Sequence, residues 1–131
     1  MPGIRRQSKR MATRAQELRR RIERIQQQML ELGDLRPGSL SEQYNVCGNP
    51  RCRCKEDLTK RHGPYYQLSW TRAKKSTTRF IRKPDAPTVK EQMKNYDLLR
   101  TLVEDWVDAS IEICELKLKA SRAASRSAST R

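Results

Sequence analysis

Apolar material is scarce in this chain: 35% of its 131 residues are hydrophobic, 5% are aromatic, and phenylalanine occurs once. A chain of this length forms one small domain, and so thin a supply excludes a large self-contained core, leaving one that is small or shared with a partner chain. No apolar run is long enough to span a bilayer. The basic N-terminus lacks the apolar middle of a secretory signal, and the cysteines are clustered too closely for a spread disulfide framework. These absences predict a reduced, intracellular, cytoplasmic protein. An organellar targeting segment is the alternative for the Arg-rich start, but a heptad pattern that begins at Met11 is too regular for a discarded presequence. Acidic residues are also few, 15 against 29 Lys and Arg, for a net charge of +14. That excess exceeds what solubility needs and predicts a polyanionic partner: nucleic acid first, DNA or RNA, with an anionic membrane surface second and not adopted.

The charge is uneven. Residues 1–36 carry ten Lys/Arg against four acids, 51–83 eleven against two, 84–116 three against eight, and 117–131 five against none, so only the third block is acidic. In the first block Met11, Ala15, Leu18, Ile22, Ile25, Met29 and Leu32 recur in alternating steps of four and three. This is the a/d seam of a coiled coil, and it predicts a helix over about 9–33, stopped at Gly33, with Arg14, Arg19, Arg20, Arg21 and Arg24 on its polar face. Residues 1–8 read as a disordered basic arm.

Ser39 and Glu42 have the offset of a capping box, which predicts one helical turn over Leu40–Tyr44. "YYQLSWT" at 65–71 and "TTRFIR" at 77–82 read as a β-hairpin with a basic tip, with Tyr66, Leu68 and Trp70 facing one way and Tyr65, Gln67, Ser69 and Thr71 the other. The intervening "RAKKS" has no Gly or Asn, so the turn type and register stay open. "KPDAP" breaks the strand, and Asp85 is a candidate cap for a second helix within 84–119. Its stripe Val89, Met93, Tyr96, Leu99, Val103, Trp106 and Ile113 is widened by Leu98, Leu102, Val107, Ile111, Cys114, Leu116 and Leu118, more than one facing helix covers. A homodimer or a larger protein partner is expected on it. Glu104, Asp108, Glu112 and Glu115 lie against the arginines of the first helix or form a solvated face. Residues 120–131 read as a disordered basic tail, and no internal repeat is visible.

Cys47, Cys52, Cys54 and His62 lie within one stretch of 16 residues. Three thiolates and an imidazole make a full tetrahedral set for structural Zn2+, and Gly48, Asn49 and Pro50 supply a tight turn between the first two. Arg51, Arg53, Lys55, Lys60 and Arg61 favour thiolates beside them. The alternatives are reduced cysteines packed under the hairpin, a redox or disulfide pair, and a thiolate nucleophile with His62. For the last, no orienting residue and no oxyanion device is found, so no catalytic residue is assigned and no enzyme activity is expected. Cys114 reads as a core residue.

"GSL", "CGNPRCRC" and "HGPYYQLSW" resemble, in order and spacing, a family of small bacterial and archaeal proteins that carry a domain of unknown function. The matching positions are Gly38 to Leu40, Tyr44, Cys47, Gly48, Pro50, Cys52, Cys54 and His62 through Tyr66, within about residues 37–83 and without the helices. The resemblance implies a common cysteine-and-histidine module, often linked with mobile-element or plasmid settings, and brings no established activity.

The expected fold is mainly α with a small β-hairpin: two long antiparallel coiled-coil-like helices flanking a zinc-stapled loop and hairpin over 34–83. The expected function is non-catalytic nucleic-acid binding, as an accessory to a nucleic-acid-processing system. Candidate contacts are Arg51, Arg53, Lys60, Arg61, Tyr65, Tyr66, Arg72, Lys74, Lys75, Arg79, Arg82 and Lys83, with Arg14, Arg19, Arg20, Arg21 and Arg24 adding backbone contacts. The alternative is a scaffold that docks a larger partner through its second helix.

Overall fold

A computed structural model describes the backbone of residues 2–129 and the side chains of 9–127. The predicted arm at 1–8 and the end of the tail are therefore described in backbone only or lie outside the described residues. The fold is α+β, with helix α1 (Pro2–Glu31), strands β1 (Ser39–Asn45), β2 (His62–Arg72) and β3 (Lys75–Ile81), and helix α2 (Ala86–Ser129). The chain divides into two compact units, one of residues 1–32 and 98–131, the other of residues 33–97. Among the described residues no helix is long and apolar enough to cross a membrane.

In the helical unit the heptad positions decide what is covered. Over residues 9–32, α1 and the residue after it, the only side chains that are not exposed are the seven predicted seam residues, with Leu18 and Ile25 buried. Leu18 joins Ala109 and Ile113 in a core that Ile22 and Leu116 flank. Burying a leucine of this kind contributes about 2 kcal/mol. At the rim, Arg14 Nε and Nη2 donate to Glu112 Oε1 and Oε2, each at 2.9 Å, and Arg21 pairs with Asp105 at 3.8 Å. Of the four predicted acidic-stripe residues only Glu112 is so engaged; Asp105 takes the second place because it lies one face nearer the buried Leu102 and Ala109. Leu98, Val103, Val107, Ile111, Cys114 and Leu118 are exposed, so Cys114 is a surface thiol and not the core residue expected.

Both helices exceed their predicted bounds. α1 begins at Pro2 and α2 continues to Ser129. Alanines at 120, 123 and 124 have the highest helix propensity, and nothing from 120 to 129 breaks a helix, although no apolar stripe marks it.

The second unit holds one antiparallel sheet in the order β1-β2-β3. The helical turn predicted for Leu40–Tyr44 is instead strand β1: Leu40 pairs with Leu68 and Glu42 with Tyr66 along β2. An eleven-residue central strand offers backbone groups on both edges, and pairing satisfies more of them than one capped turn does. β2 and β3 meet in a two-residue turn, Ala73–Lys74, with Arg72 opposite Lys75. Both turn residues have positive φ, 50° and 65°, the requirement of a type I′ hairpin.

The two sheet faces differ as the alternation predicts. Leu68 is fully buried, with Leu40, Tyr66, Trp70 and Ile81 half-buried on the same side. This side meets the first turns of α2, where the Lys90 ammonium lies 5.5 Å from the Tyr66 ring centre. The Arg36 guanidinium covers Trp70 at 4.7 Å, Arg36 N–H donates to Gln92 O at 3.2 Å, and Asn95 Nδ2 donates to Asp34 O at 2.9 Å. Asp85 precedes α2, and its carboxylate accepts from Arg82 Nε at 2.9 Å.

Candidate metal centre

The loop between β1 and β2 is ordered by short-range bonds that its sequence dictates. Asn49 Oδ1 accepts from Arg51 N–H at 3.1 Å and Asn49 O from Cys52 N–H at 3.2 Å, a turn that brings Cys52 back towards Cys47. Cys54 sits in a 3-10 turn over Arg53–Lys55. A second such turn, Leu58–Lys60, is capped by Asp57, whose carboxylate accepts from Thr59 N–H at 3.0 Å and is thereby held below the usual carboxylate range.

His62 then opens β2. Gly63 follows with φ +151°, and a Cβ there would lie 2.7 Å from Gln43 O and 2.8 Å from Tyr44 Cδ1. Only glycine lets β2 approach β1 this closely beside the irregularity between Gln43 and Asn45. Gly38 has the same role at the other end of β1, where a Cβ would meet Leu68 Cδ1 at 2.8 Å.

The predicted ligand atoms of Cys47, Cys52, Cys54 and His62 all lie within 4.8 Å of one another, close enough to hold a metal ion. Cys47 Sγ is 3.5 Å from Cys54 Sγ, and Cys52 Sγ is 3.2 Å from His62 Nε2. Ligands about 2.1–2.3 Å from a tetrahedral centre stand roughly 3.6–3.8 Å apart, so the cluster needs shifts of only a few tenths of an ångström between these pairs. Cys47 N–H donates to Cys54 Sγ at 3.4 Å. The Cys52 thiol is lowered to about 6, first by the Cys54 backbone amide and then by His62. Burial pushes the Cys54 thiol up, and its side chain is only 2% exposed. Three thiols and one imidazole turned on one point, one of them buried and short of compensation, fit a thiophilic divalent ion.

The candidate nucleic-acid residues fall into separate groups. Arg51, Arg53, Lys60 and Arg61 are exposed around the cysteine loop, and Arg72, Lys74 and Lys75 form the hairpin tip. Arg79 pairs across from Leu68 and so projects from the opposite face to Tyr65, while Arg82, beside exposed Lys83, is held by Asp85. Tyr65 is exposed; Tyr66 is half-buried beneath Lys90 and is not an open stacking surface. Arg14 and Arg21 are engaged by carboxylates of α2, whereas Arg19, Arg20 and Arg24 are exposed. Sequence reasoning missed Phe80, an exposed ring on β3 opposite Gln67. Its signal was present: the only phenylalanine of the chain sits in a strand at the parity of Thr78, not of Ile81.

Residues 15–91 match a family described as a domain of unknown function, DUF6788. The chain belongs to the DUF6788 family. The DUF6788 match reaches beyond the motif resemblance at about 37–83 and takes in most of α1 and the first turn of α2, so the helices are partly included. No curated protein and no solved structure matches the chain.

Proposed function

We infer that this protein is a zinc-stapled, non-catalytic nucleic-acid-binding module. The observation that carries the reading is the convergence of Cys47, Cys52, Cys54 and His62 within 4.8 Å at the root of a sheet flanked by cations. These four side chains would hold zinc with a complete ligand set, which leaves no position for a substrate and makes the ion a structural staple. Its binding free energy would then be folding free energy for a unit with few buried residues. The cations of the loop, the hairpin tip and the end of β3 supply phosphate contacts.

The helices fit a support for this module. Pairing of residue 14 with 112 and of 21 with 105 runs in opposite chain directions, and the seam of α1 is covered over three heptads, which supports an antiparallel coiled-coil-like pair. An accessory role beside a nucleic-acid enzyme of a mobile element rests on the motif resemblance alone. A second reading, a protein-docking or self-associating subunit, is favoured by the exposed apolar side chains of α2, with Ile111 56% exposed.

The test is the affinity of the full chain for DNA and RNA oligonucleotides over a salt series, with zinc content measured before and after chelation. One tightly held zinc per chain, a steep fall of log affinity with log salt, and weaker binding after chelation are expected. Weak binding throughout, or binding indifferent to the chelator, transfers the weight to the docking reading.

A further inference from the structure

The face of the sheet turned away from α2 is open. By register it carries Gln43 and Tyr65, Gln67 and Phe80, and Ser69 and Thr78 as cross-strand pairs. It carries no charged residue among its paired positions, although the chain is one-third charged. Its polar groups are already ordered: Gln43 Nε2 donates to Gln67 Oε1 at 3.0 Å, and the Ser69 and Thr78 hydroxyls are 3.2 Å apart.

Two rings stand on this face, Tyr65 at 41% and Phe80 at 65% exposure. Phe80 pairs with Gln67, two residues along β2 from Tyr65, so the two residues are diagonal neighbours on this face, positions roughly 7 Å apart along the sheet. A protein with one phenylalanine and a thin core leaves that ring in water on an edge strand, where an apolar side chain invites aggregation. Of the cations at the two ends of β2 and β3, Lys74 stands in the turn and Arg61 and Lys83 at the root beside Asp85-bound Arg82, whereas Arg72 and Lys75 have the parity of Trp70 and belong to the other face.

Uncharged, hydrogen-bonding and aromatic in the middle, and cationic at both ends, this surface is complementary to a strand whose bases are free. Rings accept any base by stacking, side-chain amides reach base edges, and the border cations meet phosphates. A duplex turns its phosphates outward and keeps its bases stacked, so it would set charge against the neutral centre and leave both rings unused. We propose that the open face of β1-β2-β3 binds a single-stranded segment of DNA or RNA, with bases stacked on Tyr65 and Phe80. This deepens the nucleic-acid reading above and rests on it.

The experiment uses the zinc-loaded full chain and one fluorescein-labelled twelve-nucleotide sequence as single-stranded DNA, single-stranded RNA, and the duplex of each. Single strands are expected to bind more tightly than duplexes, and the DNA and RNA arms identify which strand is preferred. Phe80→Ala and Tyr65→Ala should each weaken single-strand binding roughly tenfold while duplex binding stays level. Phe80→Tyr, which keeps a ring, should retain the affinity. The thermal midpoint of each variant separates lost stacking from lost folding. Equal affinity for single and double strands, unchanged by either alanine variant, overturns the stacking surface but leaves nucleic-acid binding standing. No binding to any of the four probes overturns both.

Discussion

Ala73 and Lys74 both occupy the left-handed region that a type I′ turn demands, where Asn and Gly are the favoured residues. An L-residue in that region costs about 1–2 kcal/mol. On the proposed nucleic-acid reading the Lys74 ammonium is a phosphate contact carried on this strained turn. Lys74→Gly is therefore expected to raise stability by about 1 kcal/mol, seen as a higher urea midpoint, and to lower the slope of log affinity against log salt by about one phosphate contact. A lower midpoint would show that the turn is not strained at Lys74, and an unaltered slope would remove Lys74 from the binding surface. At this scale the sequence disclosed the four metal-ligand candidates completely, because rare residues at short spacing need no tertiary information. The alternation put Tyr66 with Leu68 and Trp70 and set Phe80 at the parity of Thr78, but which of the two faces packs and which projects depends on where α2 lies, and that the sequence does not carry.

Among the elements, α1 was readable almost residue by residue because its partner covers a seam of regular period. β1 was not. "SLSEQYN" has one inward leucine and a capping-box spacing, and it becomes a strand only because β2 presents an open edge about 25 residues later in the chain. The length of α2 was also hidden, for propensity alone extends it beyond Leu118. The contact between Arg14 and Glu112 gives the helical unit a pH dependence. Its hydrogen bonds from Arg14 hold the Glu112 carboxyl below the usual glutamate range. A carboxyl so lowered stabilises the folded state fully above its unfolded value, and that contribution fades as pH falls through the lowered folded value. Glu112→Gln should thus depress the thermal midpoint slightly at pH 7, and the difference from wild type should shrink as the pH falls through the lowered folded value. A difference that persists in acid would mean the substitution acts through packing and not through charge.

For the molecule as a whole, α1 and the second half of α2 bury one apolar stripe and leave another in water. Val103, Val107, Ile111, Cys114 and Leu118 follow steps of four, four, three and four, close to a heptad, and all five are exposed. A seam of that period fits a helix of the same kind, and a second copy of the chain supplies one. Were two copies to pair there and the proposed nucleic-acid reading to hold, each assembly would offer twice the number of cations to one nucleic acid, and assembly and binding would be coupled. The variant carrying Val107→Glu and Ile111→Glu puts like charges into the seam of each copy while leaving the α1-facing stripe intact. Its sedimentation mass should fall from that of two chains to one, and its log–log salt slope for nucleic acid to about half the wild-type value. A wild-type protein already monomeric at tens of micromolar, or a slope that stays constant when the mass halves, would show that each chain binds alone and that the stripe serves a different protein.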